Sequence, residues 1–360
     1  MTDLLYSDVE ESLRDSVRSA LHRRLDSDTV ARMYDDPHSD VSAVWNLIGR
    51  ELGLAALLGL AALLVPEQHG GVGAGPREAA VVLEEFGRAV APAPFLTSAV
   101  IATTALVAVD DGPTLAALAS GASTAVLVVP WTARSGHWSA VDGACAPVAG
   151  AAEADVFIVP VRVGDSVELR VLTRDDVAVE PLTSLDMSRP LAEVQVIGTG
   201  RALATGPAAR DAVDAALAAG AGLLASEQYG LARWCLETTV EYAKTRVQFA
   251  RPIGSFQAIK HRLADLYLEV VQAQAAARYA ADTLALGAAD RCVAQAVAQS
   301  YCSDVAVHAA EEGVQLHGGI GMTWEHPMHL SLKRAKSDQL ALGTPARHRE
   351  DLAALIDLVP

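Results

Sequence analysis

Apolar residues recur at helical spacing almost from the start of the chain. Val9, Leu13, Val17 and Leu21 form one stripe, and Ser7 with Glu10 has the spacing of a capping box, so a helix is expected to begin near Asp8. Helical patterns continue over Ser42 to Leu64 and Pro76 to Val90, which makes residues from about Asp8 to Ser120 mostly helical. The most apolar run, Leu52 to Val65, has 14 residues between Glu51 and Pro66-Glu67. It is too short to span a bilayer and reads as a buried helix. Within it GLAALL occurs twice in tandem, Gly53 to Leu58 and Gly59 to Leu64, a local duplication. The Gly-Gly-Val-Gly-Ala-Gly string at Gly70 to Gly75 reads as a turn, because no strand precedes it and no lysine follows where a phosphate loop needs one.

From about Ala122 to Val196 the texture changes to short β-rich runs: Thr124 to Val129, Ala154 to Val163, Val167 to Leu172, Val177 to Val179 and Leu191 to Ile197. Turn residues separate them, as in a compact antiparallel β domain. Long helical patterns return over Pro207 to about Asp290 and Val293 to Leu355 and suggest a bundle of four or more helices. The expected division is an N-terminal helical domain at 1–121, a shortened β domain at 122–200 and a helical bundle at 201–360.

Composition narrows the function classes. The 360 residues carry 28 Lys+Arg against 44 Asp+Glu, a net charge of -16, which argues against a phosphate-tracking nucleic-acid surface. Any phosphorylated ligand must be held by local groups. Cys145, Cys235, Cys292 and Cys302 are scattered without a CxxC pair, which argues against a metal site and a disulfide framework. The opening helix lacks the cationic start and apolar core of a signal peptide, so a cytoplasmic protein without membrane insertion is expected.

The densest chemistry lies in Tyr242 to Tyr267, YAKTRVQFARPIGSFQAIKHRLADLY. Pro252 biases Arg251 away from helical geometry, and Ser255 can cap a new helix with apolar positions Ile259, Leu263, Leu266 and Val270. Arg246 offers a permanent charge and a planar fork suited to a phosphate. Phe249 and Phe256 can pack on a flat ring, and Gln248 and Gln257 supply donors and acceptors. The same stretch also reads as an ordinary helix-turn-helix with a surface arginine.

With the helical, β, helical order in view, this stretch resembles the start of the C-terminal domain of acyl-CoA dehydrogenases. Trp45 to Phe95, containing LVPEQHGGVG and VVLEEFGRAVAPAPF, and Gln315 to Arg349, QLHGGIGMTWEHPMHLSLKRAKSDQLALGTPARHR, agree with it. The resemblance implies an α+β fold: an N-terminal α-helical domain, a small middle β domain and a C-terminal four-helix bundle. It further implies FAD, dimers or tetramers, and α,β-desaturation of an acyl-CoA thioester, with an electron-transfer flavoprotein as redox partner. Carried over by motif, Arg246, Val247, Gln248, Phe256, Gln257 and the run Gln315, Leu316, His317, Gly318 and Gly319 would contact the adenosine and pyrophosphate half of a flavin bound chiefly by a neighbouring subunit. Thr344 and Pro345 would lie near the flavin.

The pattern fails where proton abstraction is needed. The family's glutamate occupies one of two positions, and here these hold Leu342 and Gly220, which cannot act as a base. Ala221 replaces an arginine that many members use near CoA. The Thr-Glu and Gly-Ser-Asp elements that wrap the flavin ring are missing from Ala122 to Val196; Gly164-Asp165-Ser166 reads instead as a hairpin turn. Glu227 stands about 11 Å along the helix from Gly220 and reads as pairing with a base or capping a neighbouring loop, Glu325 reads as structural, and Asp338 as a solvated or paired carboxylate. No catalytic residue is therefore assigned. The expectation is a subunit that completes an FAD site shared with a catalytically complete partner in a heterotetramer, acting on a fatty acyl-CoA or steroid side-chain substrate. Alternatives are a self-sufficient divergent dehydrogenase or oxidase with another base, and a non-catalytic scaffold.

Overall fold

The computed structural model describes residues 4–34, Trp45 and 59–358. Helix α1 (Asp8–Arg24) begins with the expected capping box: the Glu10 amide donates to the Ser7 hydroxyl at 3.3 Å, and the Ser7 amide donates to the Glu10 carboxylate at 2.7 Å. The apolar stripe is displaced at its first position. Val17 and Leu21 are buried, but Val9 is 71% exposed and Glu10 is buried instead, drawn inward by Arg77 Nε at 2.6 Å. Helices α2 (Ser27–Arg32) and α3 (Pro76–Ala89) follow, and a π-helical stretch, Phe95–Ala102, leads into α4 (Thr103–Ala108) and α5 (Gly112–Ala119). The helix expected over Ser42 to Leu64 and the GLAALL tandem fall largely outside the described residues.

The middle of the chain forms two sheets. Strands β1 (Ala125–Leu127), β3 (Val156–Val163), β4 (Ser166–Thr173) and β7 (Arg201–Thr205) lie in the order β1-β3-β4-β7, and β2 (Ala144–Ala149), β5 (Val177–Leu182) and β6 (Leu191–Val196) in the order β2-β6-β5. Gly164, at φ +59°, makes the expected β3–β4 turn. The antiparallel expectation needs one correction, because β1 pairs with β3 in parallel, Ala125 facing Val156. Two strands went unseen. β2 carries a proline and a register shift, and β7 (RALAT) has two exposed residues at its start on a sheet edge, so neither shows a clean alternation.

The 40-residue α6 (Gly206–Thr245) is the spine. Its first half buries Leu217, Leu223 and Leu224 in a core shared with the N-terminal helices, while its second half packs Tyr229 and Cys235 against α7 (Gln257–Ala285) and α8 (Arg291–His317). Helices α9 (Met328–Leu340) and α10 (Pro345–Leu355) complete this part and, with it, the expected α+β arrangement. Between α6 and α7 the chain makes a small hairpin, β8 (Val247–Gln248) with β9 (Arg251–Pro252), through positive φ at Phe249 and Ala250. The helix therefore ends at Thr245, well before the proline. Ser255 does not cap α7: Phe256 holds that position, and the Ser255 hydroxyl donates to the Pro252 carbonyl at 2.7 Å. No helix among the described residues is long and apolar enough to cross a membrane.

Where α3 crosses α6 the backbones touch. A Cβ at Gly87 would fall 2.0 Å from the Glu227 carbonyl oxygen, and one at Gly230 would fall 1.9 Å from that of Glu84. Neither obstacle is a side chain that can turn away. Gly87→Ala and Gly230→Ala should each force the helices apart and cost at least about 1–3 kcal/mol, the range of overpacked cores. Chemical denaturation checks this; variants as stable as the parent would refute the close crossing.

Candidate functional site

Gly220 and Leu342, remote in sequence, meet in space. A Cβ at Gly220 would lie 3.1 Å from Leu342 Cδ1 and 2.7 Å from Ile101 Cγ1. Leu342 sits in the α9–α10 turn at φ +53°, is 1% exposed, and donates its amide to the Trp131 carbonyl at 2.8 Å. Thr97, Ile101, Val129, Trp131, Leu217 and Leu342 close around a residual space of about 20 Å³, room for roughly one water. Among the described residues no acid lines this space. Among the described residues the space between the N-terminal helices, β1 and α6 is thus nearly filled and is lined by no carboxylate or imidazole.

Beside it lies a buried ion cluster. Arg334 of α9 donates Nε to Asp186, Nη1 to Glu227 at 2.6 Å, and Nη2 to the Ser188 hydroxyl at 2.8 Å and carbonyl at 3.1 Å. Arg189 donates Nη2 to both Glu227 oxygens at 2.7 and 2.8 Å and Nη1 to Asp338, and its guanidinium stands 5.3 Å above the Trp131 ring. Tyr34 closes the cluster by donating to Asp186 at 3.1 Å. Burial works to raise the Glu227 and Asp186 carboxyls, but the two arginines outweigh it and hold both below the usual range. At Asp338 burial, reinforced by the Glu227 and Asp186 charges, wins and pushes the carboxyl up to about 8. Two cations thus face two carboxyls held low and a third pushed up by burial and its neighbours. Of the readings open for Glu227 (a partner of a base or a loop cap) and Asp338 (solvated or paired), the structure selects the paired one for both; Glu325 is exposed.

A second constellation lies at the far end of α6. Arg246, Val247, Gln248 and Gln257 are exposed, Phe256 is half-buried, and Phe249 at the hairpin tip is 89% exposed. The two phenyl rings meet edge to face at 6.2 Å, with the Arg251 guanidinium 3.9 Å over Phe256. The Tyr242 ring stacks on His317 at 4.3 Å, which brings the Gln315–Gly319 run to the same end of the bundle as the hairpin. Within that run Gln315, Gly318 and Gly319 are exposed, whereas Leu316 and His317 are buried. His317 donates Nδ1–H to the Gly313 carbonyl at 2.7 Å, and burial lowers its basicity. A Cβ at Gly318 or Gly319 would meet nothing of this chain within 4 Å, so the backbone there is open to approach. Thr344 and Pro345 are apart from this end: Thr344 caps α10 next to the crevice.

The family's N-terminal domain profile matches residues 7–110 and its C-terminal domain profile residues 210–356. Acyl-CoA dehydrogenase IpdE2 of Mycobacterium tuberculosis is 36% identical over 342 residues, covering 93% of each chain. The chain belongs to the acyl-CoA dehydrogenase family. Among solved structures, the ChsE4–ChsE5 complex from Mycobacterium tuberculosis superposes at a TM-score of 0.84 over 100% of both chains with 23% identity. A variant of the Tcur3481–Tcur3483 steroid ACAD gives 0.82 over 98% of both at 25% identity.

For an acyl-CoA dehydrogenase the two constellations differ in what they can hold. The crevice, at about 20 Å³, has no space for a flavin ring. The hairpin end presents the exposed Arg246 guanidinium, which has no hydrogen-bond or ion-pair partner among the described residues, together with aromatic faces and open glycine backbone, a donor set that fits the phosphate-bearing half of FAD. Sequence reasoning missed Ile101, Trp131 and Arg189, which close the crevice and brace it. Their only signals are a tryptophan after Pro130 and an arginine before Pro190, and neither carries a motif.

Two outcomes follow from the ion cluster. Arg334→Met leaves Asp186 and Glu227 short of a partner and should cost about 3–5 kcal/mol in urea unfolding; an unchanged midpoint would contradict the cluster. Asp338 keeps its proton when folded up to about pH 8 but loses it near pH 4 when unfolded, so its contribution to stability falls as pH rises between those values. Asp338→Asn removes that slope. Its melting temperature relative to the parent should climb from pH 5 to pH 8, and a constant difference would show that Asp338 is ionised.

Proposed function

We propose that this chain is the non-catalytic subunit of a heteromeric acyl-CoA dehydrogenase. On this reading it completes an FAD site held chiefly by a catalytically complete partner. The observation that carries the proposal is the asymmetry between the two constellations: the crevice is closed by Trp131, Ile101 and Leu342, while Arg246, Gln248, Gln257, Gln315, Gly318 and Gly319 are exposed at the other end of α6. Arg246 would pair with the pyrophosphate, Phe249 and Phe256 would flank a flat ring, Gln248, Gln257 and Gln315 would supply hydrogen bonds, and Gly318 and Gly319 would let the cofactor approach the backbone. Bound FAD would accept the β hydride during desaturation of the acyl thioester. Abstraction of the α proton falls to the partner, because Leu342 and Gly220 cannot accept one.

The self-sufficient alternative loses support from the geometry. Glu227 is engaged by two guanidiniums and held ionised, and Glu325 is on the surface, away from the closed crevice. The ChsE4–ChsE5 complex and the Tcur3481–Tcur3483 steroid ACAD are both two-component proteins by name, which favours a heteromer, and the latter favours a steroid acyl-CoA substrate over a plain fatty acyl one. A heterotetramer in the cytoplasm, passing electrons to an electron-transfer flavoprotein, completes the reading.

Visible flavin absorption, normalised to protein, provides the test. The chain purified alone should be colourless and the co-expressed assembly yellow, with Arg246→Ala lowering the assembly's flavin affinity about 10- to 100-fold, the scale of one charge-assisted hydrogen-bond pair. Stoichiometric flavin in the chain alone would overturn the proposal. An assembly whose flavin content ignores Arg246→Ala would favour a scaffold.

A further inference from the structure

The hairpin carries a second arginine, Arg251. Gln248 faces Arg251 and Val247 faces Pro252, and the Ile253 amide donates to the Arg246 carbonyl at 2.8 Å, which continues the ladder by one pair. Residues opposite each other in such a ribbon share a side, and so do residues two apart on one strand. The register thus sets Arg246, Gln248 and Arg251 on one face, with the two arginines about 7 Å apart along it. All three are exposed.

No acid stands on the run from Arg246 to Gln257. On either side of it the arginines find carboxylates: Arg233 donates to Glu237 at 2.8 Å and Arg262 to Glu312 at 2.7 Å. Arg251 has no hydrogen-bond or ion-pair partner among the described residues, and its guanidinium lies 3.9 Å over the Phe256 ring. Phe249 meets the same ring at 6.2 Å, edge to face. Phe256 is therefore no bare platform: on that side a flat ligand meets the guanidinium. A planar guanidinium stacks on aromatic faces, and the contact is worth more out of water than on an exposed surface. A second ring laid on Arg251 would supply that shelter.

We propose that Arg251 is a further cofactor-binding residue: its guanidinium, backed by Phe256, stacks on the adenine of the FAD whose pyrophosphate Arg246 holds, and so selects the dinucleotide over flavin mononucleotide. The inference rests on the shared-site reading above.

Titration of the flavin-free assembly with FAD and with FMN, and with ADP as a competitor of FAD, tests this. Arg251→Ala, at an exposed position where folding is not at stake, should weaken FAD and ADP about 10- to 100-fold, the scale of one stacked base, and leave FMN unchanged. Arg251→Lys keeps the charge and loses the plane, so its FAD affinity should stay close to that of the alanine variant. FAD and ADP affinities unmoved by Arg251→Ala, while Arg246→Ala lowers that for FAD, would overturn this inference and leave the shared site standing. Indifference of FAD to both substitutions would overturn both. Equal loss for FAD and FMN, full rescue by lysine, or subunits that separate on gel filtration with the FAD-to-FMN preference intact would also overturn it, by assigning Arg251 to bare charge or to the subunit contact.

Discussion

Two buried arginines hold this molecule together at its centre. Arg334 and Arg189 are shared among Asp186, Glu227 and Asp338, and those five side chains come from α9, α6 and the segment between β5 and β6. Removing such charges from water is expensive, and the cost is met only where each donor finds an acceptor at good geometry. Arg334 does so with four donations, two of them to Ser188. The cluster therefore permits one relative placement of the β region and the bundle. A wrong placement would strand a charge in a low-dielectric interior.

That placement determines the state of the crevice. Arg189 stands over the Trp131 ring, and the Trp131 carbonyl accepts the Leu342 amide, so the ion cluster positions both residues that shut the space beside Gly220. The side chain at 342 cannot take a proton, and the cavity there cannot take a ring. At the other end of α6 the restraint is lifted. At the hairpin tip Phe249 meets Phe256 edge to face yet is left 89% exposed.

Much of the architecture was legible in local pattern. The capping box at Ser7, the β3–β4 turn at Gly164 and the long helical runs after Pro207 all depend on near neighbours in the chain, and all are found. Misreadings came where a distant partner overrode the pattern. Val9 lies outside because Arg77 recruits Glu10 from another helix. The proline at 252 suggested a helix end that the chain had already made at Thr245, since two residues with positive φ build a hairpin that no local propensity favours. Likewise β1 runs parallel to β3 because its partner comes from beyond β2, information that a short apolar strand does not contain.

The sequence by itself determined the family, the order of helical and β regions, the non-titratable side chains at 220 and 342, and the residue types grouped from Arg246 to Gln257, because each of these resides in residue identity and short-range spacing. Only the tertiary structure decided that Gly220 and Leu342 face each other, that Trp131 and Ile101 seal the space between them, and that Glu227 is locked by two guanidiniums. It also decided that the Gln315–Gly319 run joins the hairpin at one end of the bundle. Those outcomes depend on which distant side chains a long helix brings within hydrogen-bonding or van der Waals reach, and burial sets their charge states once they are there.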